Sequence, residues 1–136
     1  MKRIKERFTF AKTERLSGTK RIDSLFKDGE SFISFPLRVI YFIQEQSMET
    51  GCSILVSVPK KRIKKAVHRN RIKRLIRESY RLNKQVIDSS SIHETSIDIA
   101  FIYVKDTASE FSLMQKAMKK ALNQISDRIQ KKEQCE

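Results

Sequence analysis

Residues 60–84 read KKRIKKAVHRNRIKRLIRESYRLNK, two patterns written over one another. The first is apolar. Ile72, Leu75, Ile76, Ser79, Leu82 and Val86 recur at helical spacing with only Ser79 polar, which predicts a helix from about Lys64 to Lys84 that docks on a sheet. The second is cationic. Arg69, Lys73 and Arg77 stack at i, i+4 and i+8, with Asn70 and Arg74 beside them. Twelve of the 25 residues are Lys or Arg and only Glu78 is acidic, so this quarter of the chain carries +11 of its net +13. Like charges at i, i+4 oppose helix formation unless something neutralises them. A field so localised attracts polyanions, nucleic acid ahead of anionic membrane.

Outward from this helix, Ser53–Pro59 (SILVSVP) reads as a short buried strand and Ile97–Val104 (IDIAFIYV) as a central one, with a polar loop from Asp88 to Ser96. The three form a βαβ unit if the strands are parallel neighbours. Further upstream, Ile22, Leu25 and Phe26 mark a helix over Thr19–Lys27, with Gly29 as its stop. Phe32–Ile43 then alternates as one long strand. Ile33, Phe35, Leu37, Val39, Tyr41 and Ile43 form its core face, while Phe32, Ser34, Pro36, Arg38, Ile40 and Phe42 form a mixed face. Pro36 marks an edge position or a bulge. A polar connection runs from Gln44 to Gly51. A last helix begins near Ser112, where Ser112 and Gln115 match a capping box, and lines its inner side with Phe111, Met114, Met118, Ala121, Ile125 and Ile129. The order α-β-β-(β)-α-β-α predicts an α+β fold, a two-layer sandwich with helices packed on one central sheet.

The 136 residues make one domain, with an ordered core expected over about 8–130 and a disordered tail over 131–136. Residues 1–21 carry a further +6, so the remainder of the chain is slightly acidic. No apolar run reaches the ~18 residues of a membrane span. The basic start Met1–Arg7 leads into no apolar signal core, and the two cysteines, Cys52 and Cys135, suit a reducing cytoplasm. Phosphate-cradling glycine loops, HExxH and CxxC are all missing. His68 and His93 fall in different elements, and the carboxylates Asp23, Asp28, Asp88, Glu94, Asp98 and Asp106 are scattered, with Asp98 expected on a solvent face. A two-metal nuclease needs such groups clustered. The expectation is a protein without catalytic side chains and without a metal site of its own.

The segment Ala66-Val67-His68-Arg69-Asn70-Arg71-Ile72-Lys73-Arg74-Leu75-Ile76-Arg77 closely resembles the signature of the bacterial ribonuclease P protein component. Phe26, Gly29 and Ser31 resemble that family's first-helix ending, Val58 with Lys60 and Lys61 its strand exit, and Ser112–Leu122 its last helix, so the likeness covers roughly residues 8–125. Two departures stand out. The turn Arg62-Ile63-Lys64-Lys65 has no Gly and is one residue longer, and the family's aromatics on the first helix and first long strand fall at Ile22 and near Ile40. The resemblance implies an accessory subunit of an endoribonuclease, a hydrolase in which a catalytic RNA with bound Mg²⁺ removes the 5′ leader from precursor tRNA. It also implies a left-handed βαβ crossover, against the general right-handed rule.

On this reading the RNA-binding set is Lys60, Lys61, Arg62, Lys65, Arg69, Asn70, Arg71, Lys73, Arg74 and Arg77, facing the catalytic RNA. The leader meets Phe26, Phe32, Arg38, Ile40 and Phe42 by stacking and apolar contact. Partners are the ribonuclease P RNA and precursor tRNA, with Mg²⁺ held mainly by the RNA, no membrane and no obligate protein partner. A ribosomal-protein-like structural RNA binder explains size and charge equally well, without requiring the Arg-Asn-Arg register. A protein-only nuclease and a DNA-groove binder fit less, for want of clustered acids and of a helix-turn-helix or dimerisation heptad.

Overall fold

The structure, a computed structural model, describes residues 19–45, 51–88 and 95–134. Helix α1 (Thr19–Asp28) leads into β1 (Glu30–Ser34), β2 (Leu37–Glu45) and β3 (Gly51–Ser57). The basic helix α2 (Ala66–Asn83) and a single turn, α3 (Gln85–Asp88), precede β4 (Thr95–Tyr103) and the long α4 (Phe111–Gln134). The strands form one sheet in the order β1-β2-β4-β3. β1, β2 and β4 are antiparallel neighbours, and β3 runs parallel to β4, so β3–α2–β4 is the βαβ unit.

The core explains the order. Leu37, Val39 and Tyr41 of β2, Ile97, Ile99, Phe101 and Tyr103 of β4 and Ile54 of β3 share one sheet face. Against it lie Ile72, Ile76 and Tyr80 of α2 and Met114, Met118, Ala121, Leu122, Ile125 and Ile129 of α4. Each fully buried side chain of this size is worth about 1.5–3 kcal/mol relative to exposure. The opposite face has a smaller cluster, Leu25 of α1 over Ile40 and Ala100, flanked by Ile22, Phe42, Leu55 and Ile102. The α+β architecture is as read. Where two layers were expected, α1 adds a partial third over the second face.

Four other expectations need correction. The single strand Phe32–Ile43 is a hairpin, turning at Phe35-Pro36, whose peptide bond is cis. Ser34 pairs with Leu37 across this two-residue turn. Paired residues share a face, and a step of three reverses the alternation. Phe32 therefore joins the main core edge-on to Tyr41 (5.9 Å), while Ile33 and Phe35 leave the core and are 66% and 58% exposed. In α2 the buried stripe is Ile72, Ile76, Ser79, Tyr80 and Asn83, and Leu82 is exposed. Its polar members are satisfied locally: Ser79 Oγ donates to the Leu75 carbonyl (2.8 Å) and Asn83 Nδ2 to the Ser79 carbonyl (2.7 Å). Asp98, expected in solvent, is 4% exposed on the α1 side of β4. Helix α4 begins at Phe111, with Met114 N donating to the Glu110 carbonyl, so Ser112 sits inside the first turn rather than capping it. The same helix runs on to Gln134.

Gly29 ends α1 for a steric reason. Its N–H donates to the Leu25 carbonyl at 2.9 Å, and a Cβ there would lie 2.3 Å from that same oxygen. The expected N-terminal basic segment, the loop residues 46–50 and 89–94 and Cys135 lie outside the described residues. Among the described residues no helix is long and apolar enough to cross a membrane.

Candidate nucleic-acid interface

Helix α2 spans about 27 Å at the α-helical rise of 1.5 Å per residue and buries one stripe, which leaves the rest of its surface to the cations. Asn70, Arg71 and Arg74 are exposed, and Lys73 and Arg77 are half-buried beside the core. Lys60, Lys61 and Lys65 are exposed in the turn before the helix. The one acid of the stretch is taken out of play: Glu78 accepts from Arg81, one helical turn on, and that guanidinium holds its carboxyl below the usual carboxylate range.

The three residues of the Arg-Asn-Arg segment point three ways, as a 100° step per residue requires. Arg69 Nη1 donates to the carbonyls of Ile63 (3.0 Å) and Lys64 (2.7 Å). Asn70 faces outward, and Arg71 flanks a cavity on the other side of the helix. Arg69 thus fixes the turn that has no glycine, together with the Pro59 carbonyl, which accepts from the Arg62 and Ile63 amides at 3.0 and 3.2 Å. Its remaining N–H groups stay available for phosphate. Arg62 pairs with Asp106 at 3.2 Å, linking this turn to the loop between β4 and α4. That loop is braced from below, where the Tyr103 hydroxyl meets the Thr107 carbonyl and Ser109 Oγ. Burial pushes the Tyr103 phenol up. The ten cations and amide expected to bind RNA are thereby gathered on α2 and its preceding turn.

The leader set is divided. Phe26 is 47% exposed on α1, Arg38 is exposed on β2 and Phe42 is half-buried, all on the α1 side of the sheet. Ile40 shares that face but is 7% exposed beneath Leu25, so it supports the surface more than it forms it. Phe32 lies on the opposite face and is withdrawn from the set by the hairpin. Ile33 stands opposite Arg38 in the ladder, hence on the α1 side, and Phe35 follows at the exposed tip. Both were missed because the unbroken alternation assigned them to the core. The turn propensity of Pro36 was the available signal. Among the described residues no cluster of three or more His, Cys, Asp or Glu could hold a metal ion.

The sequence matches the Ribonuclease P family over residues 10–126. It is 40% identical over 123 residues to the ribonuclease P protein component of Porphyromonas gingivalis (strain ATCC 33277), covering 90% of each chain. The solved ribonuclease P protein from Thermotoga maritima superposes with a TM-score of 0.65 at 25% identity, covering 82% of this chain and 96% of that one. The Staphylococcus aureus protein gives 0.62 at 24%, covering 83% and 94%, a likeness of fold. The chain belongs to the ribonuclease P protein component family, the accessory protein subunit of the endoribonuclease that frees precursor tRNA of its 5′ leader.

Proposed function

We propose that the two exposed faces divide the two RNAs of this enzyme between them. The α2 side, with Lys60, Lys61, Arg62, Lys65, Arg69, Asn70, Arg71, Lys73, Arg74 and Arg77, binds the catalytic RNA and screens its phosphates. The α1 side of the sheet, with Phe26, Arg38 and Phe42 and the hairpin residues Ile33 and Phe35, takes the single-stranded leader by stacking and apolar contact. The observation that carries this division is the charge: twelve bases against one acid over residues 60–84, with exposed Phe26, Ile33 and Phe35 beside Arg38 on the opposite side.

Mg²⁺ belongs to the RNA in this scheme, since the protein's carboxylates do not converge among the described residues. The cations of α2 lower the Mg²⁺ needed to keep that RNA compact. The work is done in the cytoplasm. If about five to seven phosphates are neutralised, log affinity falls with log salt at a slope of roughly −4 to −6. The test is cleavage of a 5′-extended precursor tRNA at low Mg²⁺ by a bacterial ribonuclease P RNA, with and without this protein. A large acceleration, with the protein alone inert, is expected. Tight RNA binding without acceleration would leave a structural RNA binder.

A further inference from the structure

Between the Arg62–Lys65 turn, the first turns of α2 and the β4–α4 loop lies a cavity of about 580 Å³. That is within the ~300–1,000 Å³ of small-ligand sites. Its wall has two chemistries. Ile63 and Ile72, 7% and 1% exposed, form a deep apolar floor continued by Leu75. Lys64, Lys65 and Arg71 stand exposed at the rim. Asp106 is the only acid in the lining, and Arg62 neutralises it at 3.2 Å.

We infer that this cavity receives one unstacked nucleotide of the catalytic RNA, base inward and phosphate on the Lys64, Lys65 and Arg71 rim. The inference rests on the assignment of the α2 side to that RNA. A phosphate alone has no use for an apolar floor, and an apolar ligand has no use for three cations at the mouth. A nucleotide uses both. RNA is read mainly where bases leave the stack and lie against apolar or aromatic groups, and the exposed His68 imidazole in the same lining offers a ring to stack on. The catalytic RNA is favoured over the leader because Arg71 belongs to both the cavity and the α2 surface, whereas Phe26 and Arg38 lie across the sheet. The loop that forms the outer wall is held by Tyr103 through the Thr107 backbone and Ser109, so the pocket exists before RNA arrives.

The test fills the space without changing charge. Thr107 is exposed, and its backbone carbonyl, not its side chain, meets Tyr103, so Thr107→Trp preserves that brace. Leu75→Trp fills the same cavity from the α2 side, and Thr107→Val is the control. Full-length proteins are bound to ribonuclease P RNA and precursor tRNA, and base reactivity is probed chemically. The wild type and Thr107→Val should shield one base of the catalytic RNA. Both Trp variants should expose it again and weaken binding about tenfold, with the salt slope unchanged. Wild-type affinity and footprint in both Trp variants would overturn the inference alone. So would a shallower salt slope, which signals lost phosphate contacts, or a shielded base in the leader. Failure of the wild type to bind the catalytic RNA would overturn the underlying assignment as well.

Discussion

On the proposed division, the α2 surface and the α1 side of the sheet attract RNA by unlike physics. On α2 the groups are long, charged and spread along about five helical turns. Their pull acts across roughly a Debye length, about 8 Å at physiological salt, and is answered by counterion release. On the sheet the groups are Phe26, Ile33 and Phe35 with Arg38 among them. Their contact energy needs touch, and salt hardly alters it. One small protein can therefore hold a large, folded RNA by charge and a short, variable strand by shape-tolerant stacking, and each affinity can change without the other.

The largest expected effect comes from Arg71→Ala combined with Arg74→Ala. Two lost phosphate contacts should make the salt slope shallower by about 1.4–1.8 and weaken the catalytic RNA on the order of 100-fold. Leader affinity, measured by fluorescence on a short 5′-extended substrate, should hardly move. Equal losses for both would mean that the two faces are not separate. Next is Phe26→Ala, which should weaken the leader about tenfold at every salt concentration; a change in slope there would contradict the stacking account.

Arg69→Ala sharpens the contrast within the basic face. It removes the hydrogen bonds to the Ile63 and Lys64 carbonyls and should cost about 1 kcal/mol in urea unfolding. Arg71→Ala should leave the urea midpoint unchanged. The smallest effect lies away from both faces. Burial, reinforced by the hydrogen bond to Glu30 (2.5 Å), pushes the Tyr41 phenol from 10.0 to about 12. The folded chain keeps that proton where the unfolded chain loses it, so this share of stability is complete below pH 10 and disappears as pH rises towards 12. Ultraviolet titration of Tyr41→Phe should lack that late step, with both RNA affinities unchanged.

Much of this was legible in the sequence, for identifiable reasons. Helix α2 announced itself because its cations and its apolar stripe both repeat at 3.6 residues. Even so, Leu82 was included and Tyr80 passed over, although Tyr80 lies two turns from Ile72 and one from Ile76, and packs 6.3 Å from Phe101 in the core. The β1–β2 hairpin was not legible from period alone. Ile33 through Ile43 alternate without a break, and only the pairing of Ser34 with Leu37 reveals that the faces exchange. The α2 half of the proposed interface thus rests on charge, which the sequence displays residue by residue, whereas the sheet half depends on a turn. Asp98 was misplaced because strict alternation ignores that α1 covers the second face. The bonds from Arg69 to its own turn join residues five and six apart, and no compositional signal separates them from bonds to RNA.

The position of β4 governs the order in which this protein can be made. It is the last strand to leave the ribosome and the one that lies between β2 and β3. Until residues 95–103 emerge, the β1–β2 hairpin and β3 have no common neighbour, and both wait with open edges. The most cationic segment is synthesised during that interval, with the core against which it folds still incomplete. The arrival of one nine-residue strand joins the hairpin to β3 and completes the sheet face on which the basic helix packs.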